Sequence, residues 1–292
     1  MTYSVLKILE IKIFPVYLKV LIKFYKNILL KFFVITFEKK SKKLLKVLIM
    51  KNIMQILRGK CQKMLENYLN LYKNFGLILM LHEIKDYKDI KRNDKNYVIR
   101  PCELEDMIVR LNSKNVNFLA LNDLIIAKNK SNKEIFFTFD DGYEDVYLFA
   151  YPILVKYNIP FCLFLTVSLI GKPGYLSKKQ IQEMSANSLC TIGAHAINHV
   201  KLRHTVNSVT EIQGSRIQLE QMFNKKIDLF AYPYGSFNAC SYKNIKEVEE
   251  SDYRYGFSTL QTGLTNKMFL NKYYLPRMNI NSATYKKIIE TL

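Results

Sequence analysis

Ile135-Phe136-Phe137-Thr138-Phe139-Asp140-Asp141-Gly142-Tyr143 is an apolar and β-branched run that stops at two carboxylates and a glycine. A short apolar run closed by a turn residue reads as a buried strand. Adjacent acids at the end of such a strand repel one another where water is thin, so a cation or a chemical task must account for them. The sequence offers a cation site at His195-Ala196-Ile197-Asn198-His199. Two imidazoles at i and i+4 on a helical turn face one side and can share a metal with a carboxylate.

Outward from this stretch, short apolar runs recur at 76–81, 161–167, 190–193, 229–231, 255–259 and 274–276. Helical patterns lie between them at 103–112, 144–157, 177–184, 208–223 and 241–251. Strands alternating with helices of this length imply βαβ units. The expected fold is α/β, a distorted (β/α) barrel of about seven parallel strands over residues 73–292. Chemistry in such barrels sits at the C-terminal strand ends. His82, Asp140, Asp141, His195, Tyr234 and Arg277 each follow a predicted strand.

The first 72 residues differ in kind. The chain carries 44 Lys and Arg against 25 Asp and Glu, a net +19. Residues 1–70 hold 15 basic and three acidic side chains, hence +12. Lysines at helical spacing among Leu, Ile and Phe over 16–35, and a second apolar pattern over 42–72, predict a basic amphipathic α-helical extension. It reads as an in-plane membrane contact with Lys at the headgroups, or else as a helical hairpin packed on the barrel. The apolar stretches are too often broken by lysine for a cleaved leader or a membrane span. The expected location is the cytoplasm, peripheral at the inner face of the membrane. Nucleic acid is not an expected partner, because the basic charge lies in an apolar segment rather than on a polar stripe with stacking aromatics. Five scattered cysteines without a C-x-x-C pair read as buried free thiols in a reducing compartment.

A His/His/Asp set plus water makes an open divalent site, and a second, unbound carboxylate can take a proton from water. N/N/O ligation suits Zn, with Co or Ni also acceptable. His204 reads as a surface or supporting residue.

These residues carry a resemblance. Thr138-Phe139-Asp140-Asp141-Gly142 resembles the first motif of the polysaccharide deacetylases, the NodB-homology or carbohydrate esterase family 4 group. His195-Ala196-Ile197-Asn198-His199 resembles the second, with Ala196 where the family carries Ser or Thr, and Phe230-Ala231-Tyr232-Pro233-Tyr234-Gly235 resembles the third. The 79–84 and 275–280 stretches resemble segments that open and close the domain in a branch with an N-terminal catalytic histidine. The resemblance implies Asp140 as general base and Asp141, His195 and His199 as metal ligands. It further implies His82 as the acid for the leaving amine, Arg277 as the group orienting Asp140, and Tyr234 with Pro233 and Gly235 as substrate-binding, the Tyr234 N–H serving as an oxyanion donor. The implied activity is removal of N-acetyl groups from a sugar in a bacterial cell-surface glycan or its lipid-linked precursor. A hydrolase of non-glycan amides on the same fold, or a non-catalytic glycan- or membrane-binding protein, are the competing expectations.

Overall fold

The structure, a computed structural model, describes residues 74–86, 96–127 and 133–291. The helical extension expected over 1–72, and Cys61 within that range, lie outside the described residues. The chain runs through β1 (Asn74–Leu81), β2 (Glu83–Ile84), β3 (Val98–Ile99), α1 (Pro101–Ser113), β4 (Asn117–Phe118), α2 (Leu124–Ala127) and β5 (Glu134–Asp141). It continues through α3 (Tyr151–Lys156), β6 (Phe161–Leu165), α4 (Lys178–Ala186), β7 (Cys190–Ala194), α5 (Ser208–Phe223) and β8 (Leu229–Ala231). Last come α6 (Tyr242–Glu250), β9 (Tyr255–Phe257), β10 (Leu264–Thr265), β11 (Met278–Asn279) and α7 (Tyr285–Thr291).

The sheet has the order β10-β1-β5-β6-β7-β8-β9, with β11 also on β1 and β4 also on β5. From β1 to β9 neighbouring strands are parallel, as the alternation of strands and helices requires. All eight residues of β5 are buried, which is why its sequence is apolar on both faces. Side chains alternate along it. Phe136 joins Ile78, Cys162, Phe164 and Phe257 in the barrel interior, while Ile135, Phe137 and Phe139 pack under the helices. Asp140 shares the inward parity of Phe136 and Thr138. Gly142, at φ 83°, ends the strand in a conformation that a side chain resists.

Four expectations are corrected. The run 274–276 is not a strand. Leu275 makes a single parallel bridge to Phe257, Pro276 has no N–H to extend it, and Met278–Asn279 pair with Leu79–Met80. One segment therefore touches both edges of the curled sheet. The sheet is also mixed, since β10 lies antiparallel on β1. The helix expected over 144–157 is interrupted by a π-helical turn at Val146–Ala150 ahead of α3. Pro152, in the first turn of α3, cannot donate to the carbonyl four residues back, so the preceding turn widens. Cys162, Cys190 and Cys240 are buried free thiols, but Cys102 is exposed in the first turn of α1. Among the described residues no helix is long and apolar enough to cross a membrane.

Candidate active site

β5 ends at Asp141, and β7 ends one residue before His195. Their parallel pairing through β6 brings the two loops together. His195 Nε2 lies 3.4 Å and His199 Nε2 3.2 Å from the same oxygen, Asp141 Oδ1. That oxygen is buried and accepts no hydrogen bond. The donor atoms of Asp141, His195 and His199 all lie within 4.8 Å of one another. His195 Nδ1 donates to the Ala231 carbonyl at 2.8 Å, which leaves the Nε2 lone pair aimed at Asp141. Burial pushes His195 down to about 3 and lowers His199 below its ordinary value. Burial, with the charge of Asp140 behind it, raises Asp141 to about 6. At neutral pH the cluster is thus two bare imidazole lone pairs and a carboxylate converging on one point. Such a set is mutually repulsive until a cation joins it, and it fits a divalent ion.

Asp140 points the other way and is held differently. Arg277 donates to Asp140 Oδ1 at 2.6 Å and to Oδ2 at 2.7 Å, a bidentate fork of the strong kind. The guanidinium is wholly buried. It also donates to Thr138 Oγ1 at 3.3 Å and to the Ser258 carbonyl at 3.1 Å, and it sits 5.3 Å over the Phe164 ring. Burial alone would raise the Asp140 carboxyl, but the Arg277 charge and fork, with His195, hold it at about 2. Asp140 Oδ2 is 4.0 Å from His195 Nε2. The carboxylate therefore stands beside the Asp141/His195/His199 cluster, outside it.

A cavity of about 350 Å³ opens over both acids and is lined by His82, Tyr97, Tyr143, His195, His199 and Tyr234, among others. His82 packs edge-on to Tyr97 at 4.7 Å, and its Nδ1 is buried without a partner. Tyr234, half exposed, packs against His199 at 4.7 Å. Pro233 and Gly235 do not line the cavity. Tyr234 at φ 59° and Gly235 at φ 48° form a left-handed turn. A methyl on Gly235 would lie 2.6 Å from the Thr259 backbone nitrogen, so glycine is required there to present Tyr234. Arg277 does not reach the cavity either; it acts through Asp140. His204 is exposed and does not line the cavity.

The family described as polysaccharide deacetylase matches residues 127–255. Over those residues the chain carries a match to the polysaccharide deacetylase domain. A poly-β-1,6-N-acetyl-D-glucosamine N-deacetylase of Staphylococcus aureus is 28% identical over 214 residues, 67% of this chain and 72% of the relative. Among solved structures, a polysaccharide deacetylase from Bacillus cereus superposes with a TM-score of 0.67 at 24% identity, covering 74% of this chain and 68% of the other. IcaB from Ammonifex degensii gives 0.64 at 22% identity, covering 74% and 96%.

The deacetylase match spans Asp140, Asp141, His195, His199 and Tyr234, whereas His82 and Arg277 lie outside it. Their relation to the acids is visible only in the three-dimensional arrangement. Sequence reasoning passed over Thr138 and Tyr97. Thr138 accepts from Arg277 and donates to the Leu79 carbonyl at 2.9 Å, so it ties the guanidinium to β1. Its place two before Asp140, on the inward parity of β5, is the signal that would have found it. Tyr97 has no such signal, because the β2–β3 pairing that brings it to His82 involves only two residues per strand.

Proposed function

We propose that the chain is a metal-dependent N-deacetylase of N-acetylated hexosamine residues in a bacterial cell-surface glycan, of the poly-β-1,6-linked kind for which the S. aureus relative is named. One observation carries the reading: a bare Asp141/His195/His199 donor set lies beside a carboxylate, Asp140, that a buried arginine keeps ionised and aimed. A divalent ion held by Asp141, His195 and His199, with Zn preferred and Co or Ni suited, would supply Lewis acidity and a water of lowered pKa. The residues themselves divide the remaining work. Asp140, fixed by Arg277, takes a proton from the attacking water. His82, across the cavity, gives a proton to the departing amine. The Tyr234 N–H, set by the left-handed turn, donates to the developing oxyanion. The half-exposed rings of Tyr97 and Tyr234 flank the opening and offer apolar faces to sugar rings on either side of the acetylated residue.

The finer placement also belongs to this proposal. With +12 over residues 1–70, attraction to anionic lipid supports a peripheral position at the inner face of the membrane, where a lipid-linked precursor would be met.

The test is acetate release from β-1,6-linked N-acetylglucosamine oligomers, before and after chelation and with Zn2+, Co2+ or Ni2+ restored. Loss on chelation and recovery on reloading are expected; a reloaded protein that frees no acetate would sink the reading. His82 has its own signature. Burial lowers its pKa, and Asp140 and Asp141 pull it back up. The acid form is present below that pKa and drains away as pH rises through it. His82→Ala should therefore lower kcat by about 10²–10⁴-fold and remove the alkaline limb of the pH profile. A retained limb would assign the proton donor elsewhere.

A further inference from the structure

The loop that joins the two histidines is unusual in its backbone. Ala196 has φ 64° and His199 φ 50°, a region that non-glycine residues avoid. Ala196 offers no polar side chain with which to brace the loop itself. The loop carbonyls are met by the segment after β6: the Thr166 hydroxyl donates to the His195 carbonyl at 3.2 Å, Val167 N–H to Ala196 at 3.2 Å and Ser168 N–H to Ile197 at 2.9 Å. Two of its N–H groups, those of Ile197 and Asn198, are met by a single carboxylate. Glu211 Oε2 accepts from the Ile197 N–H at 3.0 Å and the Asn198 N–H at 2.9 Å, and Oε1 accepts from Asn198 Nδ2 at 2.8 Å.

Glu211 lies in the first turn of α5 and is largely buried, where the helix N-terminus favours a carboxylate. One turn on, Gly214 leaves room for the same loop: a methyl there would come within 2.9 Å of Ile197 Cδ1. Residues i and i+3 share a helix face, so this face of α5 is given over to the loop. We infer that Glu211 is a positioning residue, which sets the separation and aim of His195 and His199 through the three residues between them. The inference rests on the metal-dependent reading above. It adds that the grip on the metal depends on a carboxylate that touches neither the metal nor the substrate.

The experiment is Zn2+ affinity of the full chain by competition with a chelating dye, paired with acetate release against Zn2+ concentration. Glu211→Ala should weaken Zn2+ binding by about 10–100-fold, and its activity should return as Zn2+ is raised past the weakened Kd. Glu211→Gln should lose less, since an amide oxygen can still accept the two backbone N–H groups. Should Glu211→Ala fail to fold, Asn198→Ala decides the matter. Asn198 is exposed and its loss removes one of the three contacts, so a several-fold weakening is expected. Unchanged Zn2+ affinity in the folded variants, or a loss of activity that excess Zn2+ does not restore, would overturn the inference. An unaltered chain that takes up no Zn2+ would overturn the metal reading and this inference with it.

Discussion

Arg277→Gln is expected to lower the unfolding free energy at neutral pH by about 3–5 kcal/mol, the cost of leaving one partner of a buried ion pair behind. Asp140 is 1% exposed, and without the guanidinium the main offset to the burial that pushes its carboxyl upward is gone. In the unaltered chain the folded pKa sits at about 2, below the ordinary 3.8 of a free aspartate. A depressed carboxyl stabilises the fold above its unfolded pKa, and that stability is lost as pH falls through about 2. In the variant the sign reverses. The folded pKa rises above the unfolded one, so the variant is penalised at neutral pH and recovers as Asp140 protonates. Urea unfolding at pH 7 and again near pH 4 reads this out, and the gap between the two proteins should narrow at the lower pH. A constant gap would mean that Arg277 stabilises by packing on Phe164 rather than through Asp140. Arg277→Lys should fall between them, because an ammonium cannot form the two-pronged contact.

Asp140→Asn is expected to cut acetate release by about 10²–10⁴-fold, the usual worth of a positioned base, while Zn2+ affinity changes little. Asp140 Oδ2 stands 4.0 Å from the nearest ligand nitrogen, against 3.4 and 3.2 Å for Asp141 Oδ1. The two adjacent aspartates should thus separate cleanly in such an experiment. Asp141→Asn should lose metal and activity together, and Asp140→Asn activity alone. The asparagine also turns an N–H toward Arg277 and destabilises the fold, so rates must be referred to folded protein. Activity within tenfold of the unaltered chain would place the base elsewhere.

The central strands and the Asp141/His195/His199 cluster were legible because each leaves a local mark. β5 is a continuous apolar run ending at Asp140, Asp141 and Gly142, and the two histidines are four residues apart. What escaped was decided by distance along the chain or by very short elements. β2, β3, β4, β10 and β11 have two residues each, too few to show a period. The π-helical turn came from a single proline acting on the turn before it. Glu211 is one acid among many on a helix, and nothing in its neighbours marks it as facing Ile197 and Asn198. Cys102 was misread because a thiol carries no sign of which side of a first helical turn it occupies.

The segment that bridges both sheet edges also carries Arg277, 137 residues after its partner Asp140. During synthesis the N-terminal parts of a chain can organise before the rest has emerged. The two histidines and both aspartates are all made well before residue 277. Until that last segment docks, Asp140 lies at the end of a strand without the two-pronged contact that aims it. Closure of the barrel and aiming of the proposed base are therefore one event. A nascent, nicked or partly opened molecule would thus carry Asp141, His195 and His199 in sequence but lack an aimed Asp140, so the proposed base is assembled by the last step of folding.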